Sequence, residues 1–294
     1  MAKLLVTGAN GQLGRAVIRH LLETVQVPAA EIVAASRDTA KLADLAALGI
    51  ETRKADFTDK AGLEAAFTGI ERVLIISTDE LAVPGARLAQ HTNAVDAAKK
   101  AGVSHVLYTS MPNPGKSLVS FAPDHLGTEE AIKASGLDYT ILRNAWYHDN
   151  YMMSMPHNLE GGKWFTATGD GKVANISRDD CARAAAAALA NPPAGNQTLT
   201  LTGSQSLNAD QIAAIVAKAA GKPLDVVQVN GEQLAAGIAA AGLPDFVVRM
   251  LASADANVAA GNFDLVTGDF KALTDRDPQS LQQFFEENRQ ILLG

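Results

Sequence analysis

Cysteine is almost absent. One residue, Cys181, stands in 294, which excludes an internal disulfide. It falls in an alanine-rich helical pattern and reads as packing rather than as a nucleophile. No apolar run reaches the roughly 18–20 residues that span a bilayer, so no membrane partner is expected. An excess of positive charge is missing too. The 25 Lys and Arg against 32 Asp and Glu leave a net charge of −7, which speaks against nucleic acid or an anionic membrane surface, though not against a protein partner. Low-complexity tracts and obvious repeats are absent. The first residues lead directly into a strand, so no signal peptide is expected, and a reducing cytoplasm fits these absences. What remains, 47% hydrophobic and 19% charged residues, is ordinary for a soluble globular chain. The length allows one long domain or two unequal lobes.

The most informative stretch comes first. Lys3-Leu4-Leu5-Val6 is a short apolar run, Thr7-Gly8-Ala9-Asn10-Gly11-Gln12-Leu13-Gly14 follows, and Ala16, Val17, Leu21 and Leu22 then recur at helical spacing. This predicts strand, glycine-rich turn and helix. Gly8 would turn the chain, Gly11 would let a pyrophosphate approach the backbone, and Gly14 would let the helix pack closely. The helix would direct free N–H groups and its positive dipole end at the phosphates.

Strand and helix patterns alternate onward. Strands are predicted over 31–36, 50–54, 72–76, 103–109 and 139–142, with helical patterns over 40–48, around 63–67, and over 86–101 and 125–134. Repeated βα units with short connections predict an α/β, doubly wound parallel sheet of Rossmann type. Its ligands bind beyond the carboxyl ends of the strands. At the second such end Arg37 follows Ser36, and a guanidinium suits a ribose 2′-phosphate, so NADP is favoured over NAD, with Asp38 on the ribose as the other reading. At the third, Asp56 could accept from an adenine amine or cap a helix, and Phe57 could lie against the ring. Ser77 and Thr78 leave room for a sugar, and Thr109 and Ser110 point hydroxyls at the same crevice.

The alternation stops after Leu142-Arg143-Asn144-Ala145-Trp146-Tyr147. The join is placed there, giving a cofactor-binding domain over 1–150 and a smaller α/β substrate lobe over 151–294, with interleaving of segments allowed. Further helices are predicted over 183–190, 210–220, 232–259 (interrupted near Pro244) and 281–291, and strands over 198–201 and 226–229. The apolar face near 86–101 could pack on a second subunit, forming a homodimer, or on the protein's own lobe.

Several runs together resemble the NmrA-like branch of the atypical short-chain dehydrogenase/reductases, in the part that holds quinone and triphenylmethane dye reductases. They are Val6 to Gly14, Tyr108-Thr109-Ser110, Tyr139 to Tyr147, Gly169-Asp170-Gly171-Lys172-Val173-Ala174 and Gly242-Leu243-Pro244-Asp245. The resemblance implies an NADPH-binding Rossmann lobe and a small C-terminal lobe closing over the nicotinamide, without flavin or metal. It implies that Gly8, Ala9, Asn10, Gly11, Gln12 and Leu13 hold the pyrophosphate and Arg37 the 2′-phosphate. Ser77 and Thr78 would lie along the cofactor. Arg143, Asn144, Ala145, Trp146, Tyr147 and His148 would line the nicotinamide end.

One departure matters. Ordinary members of that superfamily carry Tyr-x-x-x-Lys after the fifth strand. Here His125 and Glu129 stand in those places. A ketone reduced by hydride becomes an alkoxide and needs a positioned acid. A quinone becomes a ring-stabilised anion and does not. The expected function is therefore NADPH-dependent reduction of a quinone between the lobes, with positioning as most of the catalysis. Trp146, Tyr147, Tyr151 and Phe165 could form an apolar slot, or Trp146 and Tyr151 could be core between lobes. Asn144 could donate to a quinone oxygen. His125 could supply a proton or sit on the helix surface, and His91 reads as structural. A redox sensor that binds NADP(H) and a protein partner without turnover, and a dye reductase, are the alternatives.

Overall fold

A computed structural model describes residues 3–294. In chain order the elements are β1 (Leu4–Val6), α1 (Gln12–Glu23), β2 (Ile32–Ser36), α2 (Ala43–Ala47), β3 (Glu51–Lys54), α3 (Lys60–Phe67), β4 (Arg72–Ile75), α4 (Ala86–Lys100), β5 (His105–Ser110), α5 (Ala122–Ser135) and β6 (Asp138–Asn144). Then come α6 (Met155–Gly161), β7 (Lys163–Thr166), α7 (Arg178–Ala190), β8 (Gln197–Leu201), α8 (Ala209–Ala220), β9 (Asp225–Gln228), α9 (Gly231–Ala240), α10 (Asp245–Ala259), α11 (Asp269–Thr274), α12 (Leu281–Glu287) and α13 (Arg289–Leu293).

Seven parallel strands form the large sheet in the order β3-β2-β1-β4-β5-β6-β8. Val33, Ala34, Val73, Leu74, Val106 and Leu107 are wholly buried, because helices cover both faces of a parallel sheet. One face packs on α1 and α7, the other on α3, α4 and α5. The apolar side of α4 (Ala94, Val95, Ala97, Ala98) is thus spent on the protein's own sheet. Strand order reverses between β1 and β4, and such a switch point opens a crevice at the carboxyl ends.

Segments from both sides of residue 150 build this sheet, since α7 packs on α1 and β8 pairs with β6. The smaller lobe is a two-stranded parallel sheet of β7 and β9 with α6, α8, α10, α12 and α13 around a third core cluster. The pattern over 40–48 does not make one helix. Asp38 accepts from the Ala40 N–H and starts a short 3-10 turn before α2. Helix α7 begins five residues before the expected 183, capped by the Ser177 hydroxyl on Asp180 N–H, a Ser-x-x-Asp start. Strand β7 and helices α6 and α11 lie outside the sequence expectations. Each is short and half covered, so periodicity is weak.

Candidate functional site

The turn between β1 and α1 has the expected geometry. Gly8 adopts φ +59°, a conformation that favours glycine. Gly8, Gly11 and Gln12 are exposed. Helix α1 has no side-chain cap and no acid in its first turn, so its leading N–H groups and dipole stay open to an anion. Gly14 is required by close approach. A Cβ there would lie 2.4 Å from the Gly8 carbonyl oxygen and 2.8 Å from the Ala9 Cα. Asn10 accepts from Arg15, and Arg15 also binds Asp44.

At the tip of β2, Arg37 is exposed and makes no ion pair among the described residues. Asp38 is occupied as the 3-10 cap, which leaves Arg37 as the available group. Asp56 accepts from the Thr58 N–H (2.9 Å) and hydroxyl (2.7 Å), and those bonds hold its carboxyl below the usual range. The cap of α3 is Asp59 instead. Phe57 corrects an expectation. Only 7% exposed, it packs with Leu63 and Phe67 in the core rather than standing open for a ring.

The tips of β4 and β5 brace each other. Thr109 Oγ1 accepts from the Ser77 N–H (2.9 Å) and donates to Ser77 Oγ (3.3 Å). The Thr78 N–H donates to His91 Nε2 (2.9 Å), so the His91 proton sits on Nδ1, which donates to Thr128 Oγ1 (2.9 Å). Burial pulls the His91 pKa down to about 3, as a structural neutral histidine requires.

His125 is neither on the helix surface nor a usable acid. It is 4% exposed. Its Nε2 accepts from Arg87 Nη2 (3.1 Å) and its Nδ1 lies 2.8 Å from the Tyr108 hydroxyl. Burial and the adjacent guanidinium push its pKa well below the ordinary value, so it is neutral with both nitrogens engaged. Glu129, in the lysine place, is fully buried. It accepts two bonds from Arg143 (2.8 and 2.7 Å) and one from Ser110 (2.7 Å). Burial raises its pKa, but Arg143 and Ser110 outweigh this and hold the carboxyl below its usual range. Arg143 is thus committed to Glu129 and braces β6 against α5. Glu129→Gln removes the charge and leaves a half-paired Arg143, so stability at neutral pH should fall by about 2 kcal/mol, a loss of roughly 4–8 °C in Tm. An unchanged melting curve would contradict this.

At the end of β6, Asn144 Nδ2 donates to the Tyr147 hydroxyl (3.1 Å), while its Oδ1, also buried, has no partner among the described residues. As placed, Asn144 offers an acceptor rather than the expected donor. Burial pushes the Tyr147 phenol pKa up, and its ring lies under Arg178 at 5.3 Å. His148 Nε2 donates to the Gln279 carbonyl (3.2 Å), which leaves Nδ1 as a buried acceptor without a partner. Burial lowers its pKa to about 4. The Ala145 N–H is tied to Leu201. Cys181 is buried and its thiol pKa is pushed well up, in keeping with packing.

Trp146 and Tyr151 line a cavity under the smaller lobe, but Phe165 does not. It is 53% exposed, and its neighbour Trp164 lines the cavity instead, because side chains alternate along a strand. Sequence reasoning also missed Asn175 and Asp255 on the same walls. Asn175 falls just past the Gly169–Ala174 run, and Asp255 sits within the helical pattern over 232–259 as one polar position among several, so nothing local singles either out. The Gly169-Asp170-Gly171 run proves structural, since a Cβ on Gly171 would lie 2.2 Å from the Val258 carbonyl oxygen of α10.

A parallel sheet with an open glycine turn at its switch point defines a dinucleotide-binding α/β protein of Rossmann type. The chain belongs to the NmrA-like family, whose model matches residues 1–278. It is 41% identical over 256 residues to quinone oxidoreductase 2 of Escherichia coli, covering 87% of this chain and 88% of that one. It is 29% identical over 272 residues to an NAD(P)H azoreductase of Xenophilus azovorans, covering 90% and 91%. Among solved structures it is similar to an NADPH-dependent quinone oxidoreductase of Escherichia coli in complex with NADPH, with TM-score 0.92, 37% identity and 97% and 99% coverage. A triphenylmethane reductase of Citrobacter in complex with NADP(H) gives TM-score 0.91, 32% identity and 98% and 100% coverage. Among the described residues, no helix is long and apolar enough to cross a membrane.

Proposed function

We propose that this protein is an NADPH-dependent reductase of quinones, with the acceptor bound between the carboxyl edge of the large sheet and the smaller lobe. The observation that carries the reading is the state of the two residues where an acid pair would stand. His125 is neutral and locked, and Glu129 is a carboxylate held by Arg143. Neither can protonate an alkoxide. A quinone needs no such donor, because the anion left by hydride addition is spread over the ring and takes its proton from water. The kinship with quinone oxidoreductase 2 points the same way.

The residues present fit the cofactor. The uncapped start of α1 and the bare Gly8–Gly11 backbone suit a pyrophosphate, and Arg37 suits a 2′-phosphate. Asn144 Oδ1 is a buried acceptor able to take an N–H from a carboxamide. When bound, reduced nicotinamide supplies the hydride. The Ser77–Thr109 brace and the Glu129–Arg143 pair keep the strand ends in place around it. The smaller lobe adds aromatic walls that exclude water. The lone, buried Cys181 suits a reducing cytoplasm.

The test is loss of absorbance at 340 nm with NADPH or NADH and 1,4-benzoquinone, after subtracting the rate without protein. NADPH should be consumed faster. Arg37→Ala should lower kcat/KM for NADPH by roughly 10- to 100-fold and leave NADH nearly unchanged, since one charge-assisted contact is removed. NADPH binding without enzyme-dependent oxidation would replace the reductase with a sensor. Turnover of triphenylmethane dyes but not quinones would make it a dye reductase.

A further inference from the structure

The smaller lobe contains a cavity of about 480 Å³, its open mouth included, walled by Trp146, Tyr151, Trp164 and Phe263. Trp146 and Phe263 are tilted at 5.8 Å, and Tyr151 and Trp164 meet edge to face at 6.1 Å. Such walls suit a flat ring. One polar side chain on them stands out. Asn175 is 5% exposed, and neither Oδ1 nor Nδ2 has a hydrogen-bond partner among the described residues. The Tyr151 hydroxyl comes near without hydrogen-bond geometry. Buried polar groups are nearly always paired, so an amide with both ends free marks a place where a partner comes from outside.

The backbone holds Asn175 there firmly. The next residue, Ile176, donates its N–H to the Trp146 carbonyl (3.1 Å) and accepts from the His148 N–H (2.9 Å). Gly203 presses on the other side, where a Cβ would lie 2.1 Å from the Asn175 carbonyl oxygen. Asn175 therefore stands beside the segment that leaves β6. It also borders a smaller adjoining cavity lined by His148, whose Nδ1 is the other orphan acceptor. Asp255 lines the aromatic cavity with Oδ2 held by Thr166 (2.7 Å) and the Ala167 N–H (2.8 Å). A carboxyl on the wall and no cation among the lining residues disfavour an anionic guest.

We propose that this cavity binds a neutral aromatic or quinonoid ring carrying an oxygen substituent, and that Asn175 selects it. The amide N–H₂ serves a carbonyl oxygen and the amide oxygen serves a hydroxyl. One residue thus holds a ring oxygen in both its oxidised and its reduced form. Taking a quinone and its hydroquinone as the natural occupants rests on the reductase reading above. The demand for a neutral, oxygen-bearing ring does not.

The chain has two tryptophans, Trp146 and Trp164, and both wall the cavity. Their indole N–H signals in a 15N-labelled sample therefore report its occupancy without turnover. Phenol should shift both signals saturably and bind at least tenfold more tightly than toluene, which has the same shape and no hydroxyl. Asn175→Leu should abolish that preference and raise Tm by about 2–4 °C, because it removes an unpaired buried amide. Equal binding of toluene and phenol, unmoved indole signals, or a preference that survives Asn175→Leu would each overturn the proposal. Phenol binding without quinone turnover would sink the reductase reading and keep the site. Turnover with unmoved indole signals would sink the site and keep the reductase.

Discussion

Gly14→Ala should disable the cofactor turn. The new methyl would overlap the Gly8 carbonyl oxygen and the Ala9 Cα, and both are backbone atoms that no rotamer change can move. Helix α1 must then withdraw from the turn, and α1 is packed along α7 and buries Val17, Ile18 and Leu21. Overpacking of this kind costs about 1–3 kcal/mol, a fall in Tm of roughly 2–12 °C. The effect on binding is larger, because the open N–H groups at the start of α1 all shift against a pyrophosphate whose position they set together. NADPH affinity should drop by about 100-fold or more, equivalent to two or three such contacts at about 1.5 kcal/mol each. Gly237→Ala, within exposed α9 where a Cβ meets nothing, should leave both quantities unchanged or raise stability slightly. Titration of NADPH into the two variants, with thermal melts alongside, separates the outcomes. Wild-type affinity in Gly14→Ala would mean that the turn does not hold the pyrophosphate.

Acid should destabilise the protein well before its carboxylates titrate in the ordinary range. His91, His125 and His148 are 0%, 4% and 3% exposed. Burial lowers the first to about 3, the second well below its ordinary value and the third to about 4. In the unfolded chain each returns to about 6.5. Their folded-state pKa values are depressed, so the unfolded chain takes up protons first as pH falls below 6.5. The stability they contribute is complete above that pH and shrinks by about 1.4 kcal/mol per unit per histidine on the way down. At pH 5 His91 and His148 together remove about 4 kcal/mol, a large part of the whole stability of many domains, and His125 acts in the same direction. Asp180 and Asp255, whose carboxyls burial raises, work in the opposite direction and return part of this near the bottom of the window. Urea unfolding at pH 7.5 and pH 5.0 measures the difference. Equal midpoints would show that the histidines are not held neutral.

Much of the fold was legible in the chain itself. Strand-turn-helix at Leu4 to Glu23, apolar runs such as Val73-Leu74-Ile75, and short βα connections leave few alternatives to a parallel sheet. Local physics suffices there, because a strand buried on both faces must be apolar throughout and a pyrophosphate turn must contain glycine. Arg37 was readable for the same reason, since a strand end and a charge are both local features. The return of the chain through α7 and β8 to the sheet edge was not. Nothing in Gln197 to Leu201 says which partner strand it will meet.

The site divides along the same line. The sheet, the open helix start, the arginine at the second strand tip and the absence of the tyrosine–lysine pair could all be read from local pattern. The tertiary structure set how His125 and Glu129 are held and charged in that pair's place, because Arg87 and Tyr108 reach His125, and Arg143 reaches Glu129, from other elements. It also turned Phe57 inward and Phe165 outward, put Trp164 on the cavity wall, and left Asn175 buried without a partner. Burial and pairing belong to contacts between residues far apart in the chain. A side chain's pKa, orientation and free hydrogen-bonding capacity follow from those contacts, and local pattern carries no record of them.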